Sequence, residues 1–314
     1  MGALAEMAQE AISTSFYETL SAALGEIWSP KISVQFDSKQ ATEKHRWLGF
    51  SPALREWVGG RQAKSLRVEA FSINNVLYEW TLDVEDPDWR RGVGPQIKLR
   101  AREGGLRAAQ HWNTLAKTLL NAGESGTCYD GAAFFSAAHA SGASGTQINL
   151  CTASHILSAD VATAAKPTAA EAADVGLEAI GYMQSYKDDV GEIVNENAKK
   201  FLILCPTARL FSSFFQAFTL QTLAAGAESP AAKAPYAVEV QHVPTLTSGS
   251  YILLCRMDGE VRPLIAQEEE PVTDQFLDES STHYVNTNTL RFGVKTTRGM
   301  GYGEWRHAMK VTLS

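Results

Sequence analysis

The sequence predicts an α+β fold, with long helices early in the chain and strands gathered toward its end. Three observations carry that prediction. Ile97, Ala101, Gly104, Ala108, Trp112, Leu115 and Leu119 recur in steps of three and four, the spacing of one helix face. Val76, Tyr78, Trp80, Leu82 and Val84 alternate with polar residues, the period of a strand. From Val238 onward the pattern is strand-like throughout, with strands expected at 238–243, 250–256, 261–266, 284–296 and 304–313.

Taken in order, residues 4–28 predict an amphipathic helix. Leu4, Met7, Ile12, Phe16, Leu20, Leu24 and Ile27 form its apolar stripe and Ser29-Pro30 its stop. Residues 56–94 predict a long β-hairpin. Leu66, Val68 and Ala70 form its first run, Val76 to Val84 its second, and Asn74-Asn75 its turn. Its first half carries Arg55, Arg61, Lys64 and Arg67, and its second half ends in Asp83, Glu85, Asp86 and Asp88. The helix at 96–122 has Pro95 at its start and Gly123 just past its end. Gly104-Gly105 are expected to weaken or bend it. Short strands and turns follow over 127–165, then a helix from Pro167 to about Lys187 and a buried strand Phe201-Leu202-Ile203-Leu204. A helix over about 209–222 and an Ala/Pro-rich loop at 224–235 come next. Arg298-Gly299-Met300-Gly301-Tyr302-Gly303 reads as a glycine-rich turn between the last two strands.

A chain of 314 residues exceeds one compact core, so two or three lobes are expected. With 45% hydrophobic and 20% charged residues it has the composition of a folded protein. A net charge of −7 argues against a protein that grips nucleic acid by its phosphates. The sequence has no apolar run of about 18 residues, so no membrane span is expected. The opening MGALAEMAQE lacks the basic and apolar regions of a secretory signal. Cys128, Cys151, Cys205 and Cys255 have no disulfide or zinc spacing and are expected to be free thiols.

Two strands alone do not persist in water, and large apolar side chains on an extended arm need a surface to cover them. The helical arm and the hairpin therefore both point to obligate assembly of identical copies.

At this stage a family resemblance enters. Trp47-Leu48-Gly49, Pro52, Leu54-Arg55-Glu56-Trp57 and Gly60-Arg61 resemble the opening block of the Mu-like phage major head subunit family. Cys128-Tyr129-Asp130-Gly131, Phe134-Phe135 and His139 resemble its most distinctive block. Later matches are Leu202-Ile203-Leu204-Cys205-Pro206, Pro263-Leu264-Ile265-Ala266-Gln267, Phe292-Gly293-Val294, Arg298 and Gly301-Tyr302. Glu268-Glu269-Glu270 depart from the pattern by being more acidic.

The resemblance implies the Hong Kong 97-type capsid fold. Its parts would be an N-terminal arm (1–55), an E-loop hairpin (56–94), a peripheral domain (95–165) with a spine helix at 96–122, an axial domain (about 166–250) and a C-terminal β segment (251–314) returning to the peripheral domain. It implies a non-enzymatic shell protein of the virion, assembled in the bacterial host cytoplasm. Hexamers and pentamers would close around double-stranded DNA that is contacted without sequence specificity. Scaffold, portal and decoration proteins would be separate chains, and no cofactor, metal or membrane is involved. The candidate contacts between subunits are Trp57, Arg61, Lys64, Arg67, Trp80, Asp86, Glu268 and Glu269. An encapsulin-like compartment loaded with protein cargo is the alternative within the same fold.

Other readings compete at single motifs. Cys128 and His139 could form the nucleophile–base pair of a hydrolase, or join Asp130, Cys151 and His155 around a metal. An Asp130-Gly131 turn leading into buried Phe134-Phe135 explains the same block structurally. Gly299 to Gly303 lack the Lys-Ser/Thr of a phosphate loop. Lys98, Arg100, Arg102 and Arg107 could face DNA, or form a solvated helix face or a subunit contact.

Overall fold

The computed structural model describes residues 3–45, 71–91, 94–220 and 229–314. Trp57, Arg61, Lys64, Arg67, the Leu66–Ala70 strand and part of the Ala/Pro-rich loop lie outside the described residues.

Helix α1 (Ala3–Leu24) opens the chain, and a 3-10 turn over Ser29–Lys31, with Pro30 inside it, ends the entry segment. Strands β1 (Ser33–Asp37), β2 (Thr42–His45), β3 (Phe71–Asn74) and β4 (Val76–Glu85) follow, then the short helix α2 (Asp86–Arg90) and the long helix α3 (Gly94–Asn121). Next come β5 (His139–Ala140), β6 (Thr146–Gln147), β7 (Leu150–Cys151), α4 (Ala169–Gln184), β8 (Lys200–Cys205), α5 (Ala208–Thr219) and α6 (Pro230–Lys233). The chain finishes with β9 (Ala237–His242), β10 (Tyr251–Arg256), β11 (Leu264–Leu277), α7 (Thr282–Thr287), β12 (Thr289–Tyr302) and β13 (Ala308–Thr312).

Among the described residues two larger sheets organise these elements, beside the two-stranded pairs β2–β3 and β5–β6. The first has the order β1-β11-β12-β4, with α1 and α3 packed on one face. Ile12 and Phe16 of α1, Ile97 and Ala101 of α3, and Phe292 and Val294 of β12 close that core. The second sheet has the order β7-β13-β10-β8-β9. Its central strands β8 and β10 are almost wholly buried, which is why they read as continuous apolar runs rather than alternating ones. Ile180 and Met183 of α4 and Phe214 of α5 share its core.

The N-terminal helix buries Ala8, Ile12, Phe16 and Leu20 against its own chain, and leaves Met7 and Leu24 exposed. Gly105 makes this possible, because a Cβ there would sit 2.4 Å from the Phe16 carbonyl oxygen. Gly104 plays a matching part: a Cβ would meet the Trp80 ring at 2.6 Å. The Gly-Gly pair is a docking notch in an unbroken helix, not the expected bend. The buried stripe also shifts by one residue in its second half, to Ala109, Ala116 and Leu120. The helix is covered by α1 on one side and the sheet on the other, a wider arc than one row of side chains.

Asn74-Asn75 do not turn a hairpin. β3 pairs antiparallel with β2, and β4 pairs antiparallel with β12, so the two asparagines mark a corner between sheets. The Asn75 side-chain Nδ2 secures that corner by donating to Ser38 Oγ and the Gln40 carbonyl, both at 2.7 Å. The expected turn at 298–303 is strand instead, and β12 runs to Tyr302. Its glycines admit the crossing strand β3: a Cβ on Gly299 would meet the Asn74 carbonyl at 2.4 Å, and one on Gly301 would meet Ile73 at 2.5 Å. The strand expected from 284 is preceded by α7, which ends at Asn288 in the left-handed conformation (φ 54°).

Candidate functional site

The block that carried the catalytic and metal readings is a buried polar clasp. A tight turn brings Thr127 opposite Ala133, with Gly131 at φ 85° and the Ala132 amide donating to Asp130 Oδ1 at 3.1 Å. His139 is fully buried, with Nδ1 2.6 Å from Asp130 Oδ2. Its ring lies flat on Trp305, centroids 3.9 Å apart and planes 4° from parallel. Asn149 Oδ1 sits 3.2 Å from the other ring nitrogen and accepts the Ser136 amide at 2.8 Å. Asn149 Nδ2 faces the carbonyls of Phe134, Ala308 and Trp305 at 2.7, 3.2 and 3.3 Å. One amide side chain thus ties the 134–139 segment to the 305–308 segment, far apart in sequence.

A second set of contacts locks the same corner. The Tyr129 hydroxyl lies 2.9 Å from both Glu304 oxygens. Arg306 Nη1 donates to Glu304 at 2.9 Å and to the Tyr129 oxygen at 3.0 Å, and its Nε donates to the Lys187 carbonyl at 3.0 Å. The Arg306 guanidinium also lies over Trp305, 4.5 Å from the ring centroid. Glu304 and Arg306 are both nearly inaccessible, and their pairing satisfies charges that would be costly to bury singly.

This geometry overturns the hydrolase alternative. Burial, reinforced by the Asp130 and Glu304 carboxylates, pushes the Cys128 thiol well above its ordinary range, away from the thiolate a nucleophile requires. Its sulfur points to the Gly303 carbonyl at 3.7 Å, while both His139 nitrogens face Asp130 and Asn149. Cys151, Cys205 and Cys255 are likewise free and buried, each pushed up to about 12 by burial. Among the described residues no group of three His, Cys, Asp or Glu side chains could hold a metal ion, and no helix is long and apolar enough to cross a membrane.

The candidate contact residues fall in different places. Trp80 packs inside its own chain, 5.8 Å from Phe16 and 6.3 Å from Phe292 between centroids. Asp86 is buried at the start of α2. Glu268 is partly buried, opposite Arg298 in the β11–β12 register. Burial raises its carboxyl and Asp37 adds to the rise, against the lowering effect of Arg298. Glu269 is exposed, and Glu270 pairs with Lys295 at 2.9 Å. On α3, Arg100 and Arg107 converge on Glu103 at 2.9 and 2.7 Å, a solvated ion-pair cluster. Arg298 is only 2% exposed; it donates to the Ala108 carbonyl at 3.0 Å and lies over Trp112.

Sequence reasoning missed Asn149, Glu304 and Arg306. The one available signal was the charged Glu304-Trp305-Arg306-His307 run at the start of the strand expected over 304–313, which the structure makes a buried 3-10 turn ahead of β13.

The family model of the Mu-like prophage major head subunit gpT matches residues 5–167, slightly more than half of the chain. The chain belongs to this family. Within it, the major capsid protein of Escherichia phage Mu is 32% identical over 110 residues, 35% of this chain and 36% of that protein. The FluMu prophage major head subunit of Haemophilus influenzae is 31% identical over 114 residues, 36% of this chain and 37% of that protein. The chain thus aligns with little more than a third of the length of these curated relatives. Among solved structures, the procapsid of bacteriophage JBD30 superposes with a TM-score of 0.53 at 20% identity, covering 97% of this chain and 75% of that one. The mature capsid of bacteriophage PhiM1 superposes at 0.57 with 10% identity, covering 91% and 87%. The fold of this head-subunit family member is that of the Hong Kong 97-type capsid proteins.

Proposed function

We propose that this chain is the major head subunit of a Mu-like tailed phage or prophage, many copies of which close into an icosahedral shell around double-stranded DNA. The observation that carries the proposal is family membership over the segment that builds α1, β4 and α3, together with a capsid fold over the whole chain. The role is mechanical. Subunit interfaces, each burying upwards of about 2,000 Å² in obligate assemblies, would resist the outward pressure of packed DNA. Residues 1–55, 56–94, 95–165, 166–250 and 251–314 would serve as arm, E-loop, peripheral domain, axial domain and returning β segment. Assembly would take place in the host cytoplasm with separate scaffold and portal proteins.

At the interface, the basic residues Arg61, Lys64 and Arg67 would meet acidic residues of a neighbouring subunit, with exposed Glu269 a candidate acceptor. Electron microscopy of the purified chain tests the whole reading. Closed icosahedral shells are expected from the chain expressed with its scaffold, and DNA-filled heads from the intact phage. A chain that remains a compact monomer at high concentration defeats the proposal, and shells filled with protein cargo defeat its DNA-packaging part. Reversing Arg61 and Arg67 to glutamate together is expected to lower particle yield; unchanged yield removes the charge contact.

A further inference from the structure

We infer, resting on the shell proposed above, that the exposed face of α3 over residues 98–106 docks the turn at residues 187–194 of a second copy of the chain. At 3.6 residues per turn, Lys98, Arg102, Leu106 and Leu99 fall within one arc of roughly 100° on the helix. Leu99 is 64% exposed and Leu106 40%, on a helix whose opposite side is closed by α1 and the first sheet. Residues 98–107 carry four cations and a lone carboxylate, Glu103. Arg100 and Arg107 share that carboxylate, and Lys98 and Arg102 make no ion pair among the described residues. Glu10 and Glu18 of α1 border the same groove without pairing with them.

The turn offers the opposite charge and a matching apolar pair. Val190 and Ile193 are each 54% exposed. Glu192 and Glu196 are exposed and make no ion pair among the described residues either. The turn is braced from within and from beside. Asp188 Oδ1 accepts the Val190 and Glu192 amides, both at 2.9 Å. The Gln147 side chain clamps the Lys187 backbone with bonds of 2.7 and 2.9 Å, and the Ala143 amide donates to the Asp189 carbonyl at 2.8 Å. A preformed knob of this kind loses little freedom on docking. One chain thus carries two exposed aliphatic pairs, each flanked by charges of opposite sign. Rings of subunits need such a combination, because rotational closure sets one patch of each copy against a different patch of the next. A DNA backbone would pair the cations but leave Leu99 and Leu106 uncovered.

Shell yield from the full-length chain expressed with its scaffold tests the contact. Lys98→Glu with Arg102→Glu, and separately Glu192→Lys with Glu196→Lys, should each lower yield by about tenfold or more, because like charges then face each other. All four changes together exchange the charges and should restore yield to within about threefold of wild type. Val190→Ser with Ile193→Ser leaves every charge in place and should also lower yield, which keeps the test decisive if a charge variant misfolds. Wild-type yield in any of the three pairs, or no recovery in the fourfold variant, overturns the contact and leaves the shell reading standing. Loss confined to the Lys98 and Arg102 pair overturns it too, assigning that face to DNA or scaffold. A wild-type chain that forms no shells overturns the proposed function itself.

Discussion

Gly105 lets two helix backbones approach closely, and the same chemistry has opposite consequences elsewhere in the chain. A methyl group at Gly105 would lie 2.4 Å from the Phe16 carbonyl and 3.1 Å from the Leu20 amide, both backbone atoms that yield only if α1 moves as a unit. Gly105→Ala is expected to destabilise the chain by about 1–3 kcal/mol, the usual cost of overpacking. Gly181, an exposed position in α4, has nothing within 4 Å of a built Cβ. There the entropy of an unbranched glycine dominates, and Gly181→Ala is expected to stabilise by about 0.5–1 kcal/mol. Denaturant midpoints of the two variants check both signs, and a neutral Gly105→Ala would unseat α1 from the notch. Asn149 is a residue of another kind. Its amide faces three buried carbonyls, so Asn149→Ala strands them in a dry environment at a cost of about 3 kcal/mol. Urea titration reads this directly, and a loss under 1 kcal/mol would mean that the clasp at residues 127–149 is not a stabilising feature.

At the scale of elements, local signals that act within a few residues were legible and those that depend on crossing partners were not. Helix α4 was legible from Pro167, and the structure adds a cap at the next residue. Thr168 caps the helix and Glu171 returns the bond to the Thr168 amide at 2.7 Å. Thr168→Ala should therefore cost about 1 kcal/mol and Thr168→Ser almost nothing, read again from denaturant midpoints; equal losses in the two would separate the cap from the effect. The long helix and the apolar strand β8 were legible for the same reason, being self-contained patterns of burial. Asn74-Asn75 misled because the dipeptide suits a hairpin turn, while its actual role depends on Ser38 and Gln40, more than thirty residues earlier. Gly299 and Gly301 misled similarly, since the strand that requires them, β3, is distant in sequence. For the candidate site, the Cys128–His139 block stood out from the sequence. Its meaning was fixed only by Asn149, Trp305 and Glu304, which no spacing connects to it.

Across the whole molecule, the histidines set an acid limit on stability. His111 packs edge-on against Tyr78 at 4.2 Å; burial, then the nearby positive charge of Arg298, lowers it to about 4. His307 is 3% exposed, and burial, followed by Arg256 and Arg306, lowers it to about 3. Above the ordinary histidine value near 6.5 both rings are neutral whether the chain is folded or not. As the pH falls below it, the unfolded chain takes up protons that the folded chain refuses, so stability declines from about pH 6.5 down to about 4 for His111 and about 3 for His307. At pH 5 the loss should be about 2 kcal/mol for the deeply buried His307 and smaller for His111, whose partial exposure screens the effect. The carboxylate of Asp83, held below its ordinary range by the bidentate Arg291 contact at 2.6 and 2.7 Å, acts in the same direction but only at lower pH, where it must be protonated. The two effects separate in a stability profile taken from pH 7 to pH 4. His111→Phe keeps an aromatic ring against Tyr78 and removes one titrating group, so its profile should be flatter than wild type by nearly one proton between pH 6 and 5. A wild-type chain equally stable at pH 7 and pH 5, or a His111→Phe profile parallel to it, would show that these rings do not control the acid response.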